Sequence, residues 1–107
     1  VRCLTDYWAS ELKLMECMNF IPGNCDPHFD EEPERRPVTK KLLLNKSIDF
    51  MYGIEGGAAL HFINEIPKAT IRFKKNKNAY KVTFAKNKIN ESPYDFRELK
   101  DESLAIN

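Results

Sequence analysis

A chain of 107 residues, 42% hydrophobic and 31% charged, has room for one core and one domain, residues 1–107, and is too apolar for wholesale disorder. Its uninterrupted apolar runs are a few residues long, far short of the roughly 20 that a membrane-crossing helix needs, so no span is expected. Seventeen Lys and Arg against 16 Asp and Glu leave a net charge of +1, but eight of the basic residues fall between Ile66 and Asn90, where no acidic residue occurs, and the remainder is net negative by seven.

Residues 5–19 read as the one long helix. Thr5 or Asp6 offers a side-chain oxygen to the first-turn amides, and Leu4, Tyr7, Trp8, Leu12, Leu14, Met15 and Met18 gather on one side at helical spacing, with Asp6, Ser10 and Lys13 opposite. Glu11 projects toward the apolar side and is placed at its edge, because burying an unpaired carboxylate is costly. Pro22, Gly23 and Asn24 end the helix, proline being unable to continue the hydrogen-bond ladder.

The stretch NCDPHFDEEPERRP, residues 24–37, carries three prolines, five carboxylates and no apolar periodicity, and reads as a long acidic loop. His28, Asp30, Glu31 and Glu32 are its partner-binding candidates. His28 among these carboxylates reads as a pH-sensitive point rather than a catalyst. Cys3, Cys17, Cys25 and His28 number enough for zinc, but a C-x7-C-x2-H spacing lacks the close ligand pair of a knuckle, so neither metal nor cofactor is expected. A disulfide from Cys25 to either Cys3 or Cys17 is expected, and the odd thiol could link a dimer. The cysteines, together with a first residue that is Val1 rather than Met, read as a processed, secreted form, with a cytoplasmic location as the other reading.

Strands follow. Residues 38–49 contain Leu42, Leu43 and Leu44 and lead into alternating Ile48, Phe50 and Tyr52, which reads as one bulged strand or two short ones. Glycines at 53, 56 and 57 mark a turn. Residues 58–64 form the next strand, residues 65–67 a second turn, and residues 69–75 and 79–86 the two arms of a basic hairpin spanning residues 68–88. Residues 91–107 form a tail. The fold class expected is α+β: an N-terminal helix packed on an antiparallel sheet of about four strands, with the long Pro-rich acidic loop between helix and sheet.

In that hairpin Ile71, Phe73, Tyr80, Val82 and Phe84 alternate toward the core, and Arg72, Lys74 and Lys81 toward solvent. With Lys68, Lys75 and Lys77 these cations make a partner-binding face, and the expected function is a small non-enzymatic interaction module for an acidic protein or glycan. Nucleic-acid binding by the hairpin is the alternative, ranked lower because no aromatic side chain is interleaved on the basic face. Neither a nucleophile elbow nor a phosphate-binding glycine loop is present. A small ribonuclease-like enzyme using His61, Glu65 and Arg72 is the remaining alternative.

Overall fold

The computed structural model describes residues 2–5, 13–16 and 22–98. In chain order the elements are β1 (Arg2–Thr5), β2 (Lys13–Glu16), β3 (Asn24–Asp26), α1 (Arg35–Leu44), β4 (Met51–Ile54), β5 (Ala58–Ile63), β6 (Ile66–Arg72), β7 (Ala79–Ala85), β8 (Lys88–Pro93) and β9 (Phe96–Glu98). They form a six-stranded mixed sheet of order β2-β1-β3-β4-β7-β8 and a three-stranded mixed sheet of order β5-β6-β9. The expected four-stranded antiparallel sheet under an N-terminal helix is therefore corrected to a mostly β fold with one short helix.

At the N-terminus, β1 and β2 pair antiparallel, Cys3 opposite Met15 and Leu4 opposite Leu14, so the described parts of residues 5–19 are the last residue of β1 and all of β2 rather than helix. Helical spacing and good helix formers misled here because cross-strand pairing and burial of Leu4 override local propensity. Trp8 and Glu11, on which the helical reading turned, lie outside the described residues, as does Cys17.

The helix lies where a loop and a strand were expected. Arg35, Val38, Thr39, Leu42 and Leu43 are its buried and half-buried positions, a spacing of three and four that puts them on one face. Two of those five are polar, which hides the period. Pro37 is tolerated because the first-turn amides have no partner within the helix. Since α1 connects β3 to β4, the two strands pair in parallel, Cys25 opposite Tyr52 and Asp26 opposite Gly53. β1 also runs parallel to β3, giving three parallel strands at the centre.

The core cluster is Leu4, Phe29, Leu43, Ile48, Met51 and Val82, with Leu14, Val38, Leu42, Tyr80 and Ile89 packed against it. It fills the space between α1 and the large sheet.

The basic stretch is not a hairpin. β6 pairs with β5 and β9, while β7 pairs with β4 and β8, so the two supposed arms belong to different sheets. The tight turns fall elsewhere: Asn64-Glu65 joins β5 to β6 and Lys86-Asn87 joins β7 to β8, each with two successive positive φ angles. That geometry matches the twist of an antiparallel pair. Phe73 is 60% exposed and Phe84 also faces solvent, so neither is a core residue as expected. The sheets are joined by Thr70, whose amide donates to the Asp95 carbonyl and whose Oγ1 accepts from the Ala79 amide. An aromatic group centred on Tyr52, with Phe50, Phe62 and Tyr94, adds a second seam. Burial raises the Tyr52 and Tyr94 phenols above the usual tyrosine range.

Candidate active site

Parallel strands place their chemistry beyond their carboxyl ends. The turn leaving β3 runs along the carboxyl end of β4, its Phe29 amide donating to the Ile54 carbonyl at 3.0 Å. Phe29 is fully buried, with its ring against Gly53 of β4, where the lack of a side chain leaves room for it. This anchor raises His28, the preceding residue, above the sheet with a φ of 54°. Left-handed backbone is uncommon in a residue with a side chain and recurs at functional positions.

His28 Nδ1 lies 2.7 Å from Glu31 Oε1, and the two side chains are 58% and 46% exposed. An ionised carboxylate can only accept, so in the neutral imidazole Nδ1 carries the proton and Nε2 presents a lone pair. The contact spans three residues because the turn folds back, the Glu31 and Glu32 amides donating to the His28 carbonyl. Gly56 leaves the space that the Glu31 carboxylate fills.

Asp30, between the anchor and the dyad, accepts from the Gly56 amide at 2.9 Å and from Lys77 Nζ at 2.5 Å. Burial alone would raise its carboxyl, but the Lys77 ammonium and the Gly56 amide outweigh that and hold it below the usual range.

Beneath the turn lies a buried ionic group. Arg35 donates from Nη1 to the Leu4 carbonyl at 2.5 Å and reaches Asp26 Oδ1 at 3.3 Å, and its Nε donates to Glu32 at 2.9 Å. Thr39 Oγ1 donates to Asp26 Oδ2 at 2.7 Å. Burial pushes Asp26 up to about 6 despite these donors, because the Arg35 contact is long for a charge-assisted bond. The group ties β1, the end of β3 and the start of α1 together, which fixes both ends of the segment that carries His28.

Of the residues offered as a partner-binding surface, His28, Asp30, Glu31, Glu32 and Lys77 converge on this turn. The others are dispersed. Lys68, Lys74, Lys75 and Lys81 are exposed at separate points, Lys81 Nζ lying 5.0 Å over the Phe50 ring. Arg72 is occupied, its Nε donating to the Lys77 carbonyl, its Nη2 to Asn78, and its guanidinium 3.4 Å over Phe96. It is no phosphate clamp for His61, so the ribonuclease-like arrangement is not assembled. Cys3 and Cys25 face each other in register on β1 and β3, but no disulfide joins them, which corrects that expected pairing. Among the described residues no group of three or more His, Cys, Asp or Glu could hold a metal ion, and no helix is long and apolar enough to cross a membrane.

The sequence model of peptidase family S51 matches residues 4–70, more than half of the chain, including the turn that bears His28 and Glu31. The chain belongs to peptidase family S51. It is also 35% identical over 91 residues to the uncharacterized peptidase YgaJ of Bacillus subtilis, an alignment covering 85% of this chain and 40% of that protein. The chain thus spans well under half the length of this curated relative. No solved structure matches it. Membership of the S51 family overturns the expectation of a non-enzymatic protein-binding module.

Residue spacing held part of this signal. A histidine followed three residues later by a glutamate in an acidic loop is visible in the sequence, but the bond between them is not. Asp26, Arg35, Thr39 and Gly56 were missed. Testing the helical period from Arg35 onward would have found Arg35 and Thr39.

Proposed function

We propose that this chain carries the general base of a peptidase, with His28 as the base and Glu31 as its orienting carboxylate. The observation that carries the reading is the 2.7 Å contact between His28 Nδ1 and Glu31 Oε1 on an exposed turn beyond the carboxyl end of β3. In a family of peptidases this is the base-and-orienter half of a hydrolytic constellation.

His28 Nε2 takes the proton of an attacking hydroxyl, thiol or water as that group adds to the peptide carbonyl. The proton then passes from Nε2 to the leaving amine as the C–N bond breaks. Glu31 keeps the ring in the tautomer that leaves Nε2 unprotonated and offsets the positive charge of the imidazolium formed in between. The attacking group belongs, in this reading, to residues beyond those described.

The test is hydrolysis of a defined mixture of short peptides by the protein that carries this sequence, read by the appearance of free amines. His28→Ala is expected to lower kcat by about 10²- to 10⁴-fold. An undiminished rate in this variant would remove His28 from the mechanism.

A further inference from the structure

We propose that the Lys77–Asp30 ion pair is the positioning device of the His28–Glu31 dyad, supplied by the loop that joins the two sheets. The inference rests on the peptidase reading above for its catalytic consequence, and on geometry for the rest.

Several contacts hold the turn that bears the dyad. Phe29 is pinned to β4 from below, and the Glu31 and Glu32 amides close the turn upon itself. None of these three reaches across to another loop beside the Glu31 carboxylate. Asp30 does. Its Oδ1 accepts from Gly56, whose bare Cα faces the Glu31 carboxylate, and its Oδ2 accepts from Lys77. Asp30 therefore joins three segments at one residue: the turn after β3, the turn after β4 and the loop between β6 and β7.

Lys77 is itself held. Its carbonyl accepts from Arg72 Nε at 2.8 Å, and Arg72 is stacked on Phe96 of β9. The next residue, Asn78, exchanges bonds with Glu55: the Asn78 amide donates to Glu55 Oε1 at 2.8 Å, and the Glu55 amide donates to the Asn78 carbonyl at 3.1 Å. The ammonium is thus presented from a braced backbone, so little side-chain freedom remains to be lost when it meets Asp30. A lone surface ion pair contributes little to stability. A pair whose two backbones are both fixed acts instead on geometry, and the atom it locates is the Glu31 carboxylate beside Gly56, one residue along the chain.

Catalysis by a base depends steeply on its orientation, so a loosened carboxylate reduces turnover without abolishing binding. Lys77→Met removes the ammonium and keeps most of the stem; Lys77→Arg restores a cation; Asp30→Asn retains an acceptor for Gly56 and removes the charge. Three readouts apply to each: peptide hydrolysis, thermal midpoint, and ring ¹⁵N shifts of His28 in histidine-labelled protein, with His61→Gln used for assignment.

The expected result is a fall in kcat of about 10-fold with KM within about twofold for Lys77→Met and Asp30→Asn. The Nδ1–H signature of a hydrogen-bonded ring is lost in both and retained in Lys77→Arg, with recovery of most of the turnover there. Unchanged ring shifts and kcat in Lys77→Met would overturn the proposal. So would a fall in kcat matched by an equal loss of folded protein, which is all that a merely structural role produces. Ring shifts that respond in a protein whose unsubstituted form hydrolyses no peptide would support the clamp and reject the peptidase reading.

Discussion

Gly56 faces Glu31 so closely that any Cβ placed on the glycine would overlap the Glu31 carboxylate. The colliding group is the tip of a flexible, half-exposed side chain, so it can swing aside at little cost to folding. What it cannot do is swing aside and keep its contact with His28. Gly56→Ala is therefore expected to change stability by less than about 1 kcal/mol while lowering peptide hydrolysis by about 10-fold or more. Paired measurement of denaturation midpoint and kcat on the same preparation checks this; a large stability loss with normal kcat per folded molecule would contradict it.

Gly53 presents the opposite case. Its missing Cβ would meet the Phe29 ring at 2.9 Å, and that ring is fully buried against Tyr80 and beneath the Arg36 guanidinium. A ring packed on all sides has nowhere to go. Gly53→Ala is expected to cost about 1–3 kcal/mol, as overpacking does, and urea unfolding measures it directly.

Arg35 and Arg36 are neighbours in sequence and differ in what their loss should do. Arg35 is buried and serves Asp26, Glu32 and the Leu4 carbonyl, so Arg35→Met leaves the buried Asp26 carboxylate with the Thr39 hydroxyl and no cation, and removes the guanidinium from the Leu4 carbonyl. A loss of about 3–5 kcal/mol is expected. Arg36 pairs with Glu91 at 2.8 and 3.1 Å on the surface, and Arg36→Met should cost about 1 kcal/mol or less. Parallel urea titrations of the two variants provide the comparison, and similar midpoints would refute it.

Asp26 imposes a pH dependence. Burial pushes its carboxyl up from the ordinary 3.8 to about 6 in the folded protein, so the folded state holds its proton more tightly. The stability linked to this group is fully present below about pH 4 and is lost as pH rises through about 6. Relative to Asp26→Asn, which has no such titration, the unsubstituted protein should lose on the order of 1–3 kcal/mol between pH 4 and pH 7. Urea midpoints of both proteins across that range give the difference, and a flat difference would contradict the assignment.

Much of the second half of the molecule is legible from period-two alternation: residues 58–64 and 79–86 match β5 and β7 to within a residue, while the strand expected at 69–75 runs three residues earlier as β6, taking in part of the expected turn at 65–67. Their partners are not legible. Consecutive strands with a short spacer read as a hairpin, yet Ala79 pairs with Ile54 of β4 and meets β6 only through the Thr70 hydroxyl, while β6 pairs with β9. The helix was concealed by chemistry rather than by length: its inward face begins with Arg35 and Thr39, which are buried only because Asp26 receives them both. Similarly, His28 was noticed as a titratable residue, but the bond that gives it a catalytic reading depends on a turn whose geometry is set by the Phe29 ring seated on Gly53.

Between β6 and β7 the chain leaves one sheet and enters the other, and Lys77 rides on that passage. An event that disturbs the three-stranded sheet alone, with α1 and its core intact, would be transmitted through Arg72 and Lys77 to the dyad. On gradual heating, turnover should then decline before the core gives way, so the temperature at which this protein stops working and the temperature at which it unfolds are two different quantities.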